Sequence, residues 1–158
     1  MKRMKRVLLC LAGTILALSL AACSGKSKDI TVDVSALAEK LQAETVTTDT
    51  LAKTPDEQLA SIYFFDMAKI AGAAAYASSG ATACEVAVVE CGEASYTGEV
   101  EKLFKNRAQY QSDLYKSYNA GEVTKLDAAI IKTAGKYVVF CVCDDTKKAE
   151  EILKSSGF

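Results

Sequence analysis

Residues 136–143, KYVVFCVC, constrain this chain most. Read as a β-strand, with successive side chains on opposite faces, they place Val138, Phe140 and Val142 on one side. Tyr137, Val139, Cys141 and Cys143 fall on the other. A strand that is apolar on both faces sits inside a sheet and is covered from above and below. The fold therefore has to supply two apolar layers. The preceding run, AAIIKT (Ala128 to Thr133), joins this strand through Ala134-Gly135, which reads as a tight hairpin. Helical sequence follows: Asp144-Asp145-Thr146 offers caps for KKAEEILKS, with Ile152 and Leu153 turned inward. Two aspartates at a strand end could also hold a cation, but capping accounts for them more simply.

A second pair of strands precedes the first. CEVAVVEC (Cys84 to Cys91) carries β-branched residues at alternating positions and reads as a strand. It follows SSGAT (Ser78 to Thr82), a turn in which Gly80 is free to take positive φ, and AAAYA, which leads into another strand. Thr97 is placed to cap a helix from Glu99 to about Tyr118, with Val100, Leu103, Phe104, Leu114 and Tyr118 as its buried face. NAGEVTKLD, ending at Asp127, reads as a loop. Further upstream, DITVDVSALAEKLQAE reads as a helix capped by Asp33 or Ser35, with Leu37 and Leu41 one turn apart. Pro55 suits the first position of a short helix. Within residues 59–77, IYFF fits either a strand or a helix.

The expected fold is α+β: a mostly antiparallel sheet of about four strands with helices packed on it. Strand, turn, strand, helix occurs twice, which suggests a ββα-ββα pseudo-repeat. Any α+β chain with two hairpins would show the same layout.

The N-terminus reads separately, as a signal-peptide helix before this domain. Lys2, Arg3, Lys5 and Arg6 precede an uncharged apolar run from Val7 to Ala22. A basic head, an apolar stretch and small residues before a cut describe a secretory signal peptide. The run is short against the ~20 residues of a comfortable membrane-spanning helix, so a retained anchor is the less favoured reading. Leu20-Ala21-Ala22-Cys23 resembles the lipobox of bacterial lipoproteins. That resemblance implies a diacylglyceryl group on the Cys23 thiol and cleavage between Ala22 and Cys23. Residues 1–22 are then a lipoprotein signal peptide, 23–28 the lipidated cysteine and a flexible tether, and 29–158 a single domain. Two acyl chains on one residue would hold the protein durably on the extracytoplasmic face of the cell membrane.

Charge and composition narrow the function. Without the four basic residues of the leader, 15 basic residues face 20 acidic ones, a net charge of −5. Nucleic acid is not the expected partner of such a chain. There is no histidine. A Ser-His-Asp triad, a Cys-His pair and a His-ligated zinc are therefore excluded, and acid–base work would fall to carboxylates, lysine or tyrosine.

SSGATACEVAVVE (78–90), KLDAAIIKTAGKYVVFCVCDD (125–145) and KKAEEIL (147–153) together resemble domain-of-unknown-function family 4358. These are small bacterial proteins of Firmicutes type, often lipoproteins, and the likeness covers nearly all the chain after the leader. The family motif is a pattern of small and apolar positions. It implies a lipoprotein and supplies no catalytic residue and no cofactor. Members often show a Tyr-Gly pair in the middle segment, where this chain has Tyr63-Phe64-Phe65.

Four cysteines remain beyond the anchor: Cys84, Cys91, Cys141 and Cys143. Cys84 and Cys91 lie roughly 23 Å apart along one strand and on opposite faces, so they cannot pair with each other. Cys141 and Cys143 share a face at ~6.6 Å, a poor disposition for a disulfide. A cross-strand bridge from either of the first two to either of the second two is open, as is a redox role. Four buried thiols in a sheet core is the plainer reading. The spacing lacks the knuckles of a zinc site, and no metal is expected. Tyr110, Tyr115 and Tyr118, with Arg107 and Lys116, suggest an aromatic-basic face for a glycan or peptide, against a plain amphipathic surface with Tyr118 in the core. SSGAT could bind an anion, although a turn explains it. The leading expectation is a non-enzymatic, lipid-anchored binding module for a protein, peptide or envelope component. A thiol-based redox enzyme using Cys141 or Cys143 is the alternative, since a helix begins just after Cys143. A solute-binding clamp would need more than the roughly 136 residues left after cleavage.

Overall fold

In a computed structural model, residues 30–158 are described. The signal-peptide helix, the cleavage site at Ala22 and Cys23, and the tether lie outside the described residues. Among those described, the elements run α1 (Val34–Thr45), β1 (Ala52–Lys53), α2 (Asp56–Tyr63), β2 (Ile70–Ala77), β3 (Glu85–Cys91), α3 (Thr97–Tyr118), α4 (Ala120–Asp127), β4 (Ile130–Ala134), β5 (Tyr137–Val142) and α5 (Thr146–Ser155).

The strand at 136–143 behaves as its two apolar faces require. Every residue of β5 is buried, and it lies between β3 and β4 in a sheet of order β1-β2-β3-β5-β4. All neighbours are antiparallel, so the chain is α+β as expected. A fifth strand, β1, adds two residues beside the end of β2. On one face, Leu37 and Leu41 of α1 and Ile152 and Leu153 of α5 close over Val86, Val88, Val139 and Cys141. On the other, Leu59 and Tyr63 of α2, Val100 and Phe104 of α3, and Leu126 of α4 close over Ala87, Val89, Val138 and Phe140. Residues 30–158 thus carry both core layers. Each hairpin is followed by a helix, but α3 and α5 cover opposite faces, so only the hairpins repeat.

Several local expectations change in tertiary context. The segment read as a loop before Asp127 forms α4, because burying Leu126 and the Glu122 carboxylate's acceptance of Ala83 N–H outweigh the cost of Gly121 in its first turn. Thr97 does not cap α3. Its hydroxyl donates to the Ala94 carbonyl of a preceding 3₁₀ turn, and the helix starts at Thr97 itself. The buried stripe of α3 runs through Val100, Phe104, Ser112 and Tyr115, while Leu114 and Tyr118 face out. Pro55 precedes α2 instead of opening it. IYFF divides: Tyr63 ends α2, and Phe64 turns the chain in the left-handed region at φ 61°. Glycine takes that conformation at little cost; here a phenylalanine occupies it.

Candidate functional site

Three of the four core thiols converge. Cys84, Cys141 and Cys143 lie under α1 and α5, and Cys91 lies on the opposite face. All four are buried free thiols. Antiparallel register continued one step past Glu85–Val142 puts Cys84 across from Cys143. The Cys143 thiol is lowered to about 7, chiefly by a hydrogen bond from Cys141. The same bond, together with burial, pushes Cys141 up. Burial also raises Cys84, despite Lys125 Nζ at 3.8 Å. Among the described residues no cluster of three or more ligating side chains is arranged for a metal ion.

The polar residues around these thiols are committed to structure. Asp145 caps α5 by accepting from Lys148 N–H at 2.9 Å, as the sequence suggested. Asp144 does something else: it accepts from the backbone N–H of Thr47 at 2.6 Å and of Thr48 at 2.8 Å, and it pairs with Lys125 at 2.8 Å. It ties the end of β5 to the loop after α1 and to Lys125 of α4. In SSGAT, the hydroxyls of Ser78 and Thr82 donate to Asp49 at 2.5 and 2.8 Å, and Gly80 takes φ 108°. Tyr115 donates its hydroxyl to the Thr82 carbonyl. That loop is a turn pinned through the Ser78 and Thr82 hydroxyls.

A ligand-sized space lies elsewhere, between α2 and α3. A cavity of about 640 Å³ is lined by Ile62, Phe64, Leu103, Asn106, Arg107 and Tyr110. Apolar side chains dominate it, and Arg107 is its one charged lining residue. Its floor is an ion pair. Arg107 Nε donates to both oxygens of Glu85 at 3.2 Å, and Nη2 adds a third bond at 3.0 Å. Glu85 is nearly sealed, with a side chain 4% exposed against 19% for Arg107. The Tyr63 ring lies 6.0 Å below the guanidinium, and its buried hydroxyl has no partner in hydrogen-bond geometry. Burial, followed by the Glu85 carboxylate, raises the Tyr63 phenol. Phe65 stacks on Tyr63, and Phe104 meets both rings edge-on, which fixes the floor. At the mouth stand Phe64, 77% exposed, and Tyr110, 60% exposed.

Residues 37–143 match a family described as Domain of unknown function (DUF4358). The chain belongs to this family. The matched region of this DUF4358 member runs from α1 through the end of β5, so it contains every residue of the α2–α3 cavity and all four core cysteines. Helix α5 lies beyond it. No curated protein and no solved structure matches the chain.

The aromatic-basic face expected from sequence is only partly assembled. Arg107 and Tyr110 meet at the cavity. Tyr115 is buried, Tyr118 packs on it from outside at 4.8 Å, and Lys116 pairs with Asp113. Glu85 and Phe64 escaped the sequence reading. The two acids of the strand CEVAVVEC, Glu85 and Glu90, are the signal that could have found Glu85, because a carboxylate buried in a sheet needs a cation on the element that covers it.

Proposed function

We propose that this chain is a lipid-anchored protein of the extracytoplasmic membrane face, held through Cys23, that works by binding and not by catalysis. The α2–α3 cavity carries the reading. It has the size of a ligand site, an apolar wall and a few placed polar groups over a rigid floor. Its rim exposes two aromatic rings that nothing in the described residues covers. The lipobox-like LAAC and the tether that follows it support the anchor.

Two measurements test this. A Cys23→Ser variant should leave the membrane fraction and lose the mass of a diacylglyceryl group; unchanged fractionation refutes the anchor. A benzophenone amino acid at position 64 or 110 should give discrete crosslinks on intact cells, where the same residue at position 154 on α5 gives none. Equal labelling at all three positions, or none, refutes the binding site.

A thiol-based redox function through Cys141 and Cys143 is the second reading. The Cys143 thiol near 7 favours it; its 2% exposure, which keeps substrates out, opposes it. Crosslinking retained in a Cys141→Ser/Cys143→Ser variant removes the redox reading, and its loss from a folded variant promotes it.

A further inference from the structure

The cavity does not end at Tyr110. Leu114, 42% exposed, and Tyr118, 64% exposed, continue from it at one-turn spacing along α3. From Leu103 to Tyr118 the stripe is about 22 Å long, at about 1.5 Å per residue. That exceeds a small molecule and equals roughly seven residues of extended chain at about 3.3 Å each. Charge restricts the occupant further. Glu85 neutralises Arg107, and no other cavity-lining residue is charged, so the cavity offers nothing to an anion or a cation. It does offer hydrogen bonds. Nε and Nη2 of Arg107 are spent on Glu85, which leaves Nη1 as a donor. Among the described residues the Asn106 side-chain amide is not engaged, and an amide can donate to and accept from one peptide unit. Phe64 is held in a left-handed conformation with its ring in water, two costs that contact with an inserted apolar group would offset.

Resting on the binding function proposed above, we infer that the α2–α3 cavity and the α3 stripe receive an uncharged peptide segment of a partner protein. One aromatic side chain enters the cavity beside Phe64, and the peptide backbone lies over Asn106 and Arg107.

The test uses the full chain in lipid nanodiscs with labelled isoleucine and leucine methyl groups. The probe is the end-blocked peptide SAGFAQS, with versions carrying alanine or glutamate in place of its phenylalanine. The expected result is a saturable shift of the Ile62 and Leu103 methyl signals, with the alanine peptide binding about 30-fold more weakly. Phe64→Asn and Tyr110→Ala should each weaken binding by about tenfold without lowering the thermal midpoint, which a merely structural role could not do. A glutamate peptide that binds as tightly as the parent overturns the uncharged anchor while leaving the cavity a binding site. Broadening of Leu114 by paramagnetic lipid, without peptide, assigns the stripe to the membrane and overturns the peptide. If no peptide shifts any methyl at millimolar concentration while position 110 still crosslinks in cells, the peptide class is wrong and the binding function stands. Failure of both removes both.

Discussion

Replacing Arg107 by methionine should damage this protein far more than replacing its partner. The Arg107→Met change removes three hydrogen bonds of 3.0–3.2 Å and leaves the Glu85 carboxylate where its side chain is only 4% exposed. A buried charge stripped of its partner costs about 3–5 kcal/mol. Glu85→Gln is milder. The amide oxygen still accepts from the guanidinium, and Arg107, 19% exposed at the cavity wall, keeps access to water; about 1–2 kcal/mol is expected. The double variant Glu85→Leu/Arg107→Met removes both charges and fills the space with apolar atoms, so it should fall within about 2 kcal/mol of the parent. Urea unfolding of residues 24–158, followed by far-ultraviolet circular dichroism at pH 7, separates these cases. With a slope near 1.5 kcal/mol/M, a loss of about 4 kcal/mol lowers the midpoint by roughly 2.5 M. Equal, small losses for Arg107→Met and Glu85→Gln would show that water reaches Glu85. A double variant as weak as Arg107→Met would show that lost packing, not a stranded charge, sets the cost.

Three other outcomes follow from the same structure. Burial works against the charge on Asp144, but Lys125 and the backbone N–H groups of Thr47 and Thr48 more than reverse it and hold the carboxyl well below its usual range. A carboxyl depressed on folding contributes stability that is complete above its unfolded pKa, about 4, and is lost as pH falls below that. Asp144→Asn should therefore cost about 2–3 kcal/mol at pH 7 and flatten the loss of stability below pH about 4; a variant whose pH curve runs parallel to the parent's would refute the assignment. Phe64→Asn should raise the thermal midpoint by roughly 3–5 °C, because asparagine tolerates the left-handed region at φ 61° better than a phenylalanine ring does; a lower midpoint would mean that the ring holds α2 to α3. Cys84, Cys91, Cys141 and Cys143, none more than 2% exposed, should resist a disulfide reagent until the protein unfolds; fast reaction of any one in the native state contradicts the packing described.

What the sequence determined by itself was the sheet and its neighbours. Two apolar faces on β5 required a central strand between two layers, alternation in β3 separated Cys84 from Cys91, and Gly80, Gly135 and Asp145 marked a pinned turn, a hairpin and a helix start. These are local or short-range signals, carried by the two-residue period of a strand and by residues with unusual backbone freedom. Tertiary structure alone decided the rest. Leu114 and Tyr118 sit at helical spacing with Phe104, and only packing decided that Ser112 and Tyr115 turn inward in those turns while Leu114 and Tyr118 stay in water. Leu126 made a helix of a glycine-containing segment because the core needed a side chain there. The cavity depends on Glu85 and Arg107, 22 positions apart in the chain, and on Phe64 from a third element. No periodicity encodes such a meeting, because the energy that specifies it, the pairing of one buried charge with another, exists only after the sheet and helices have brought the two together.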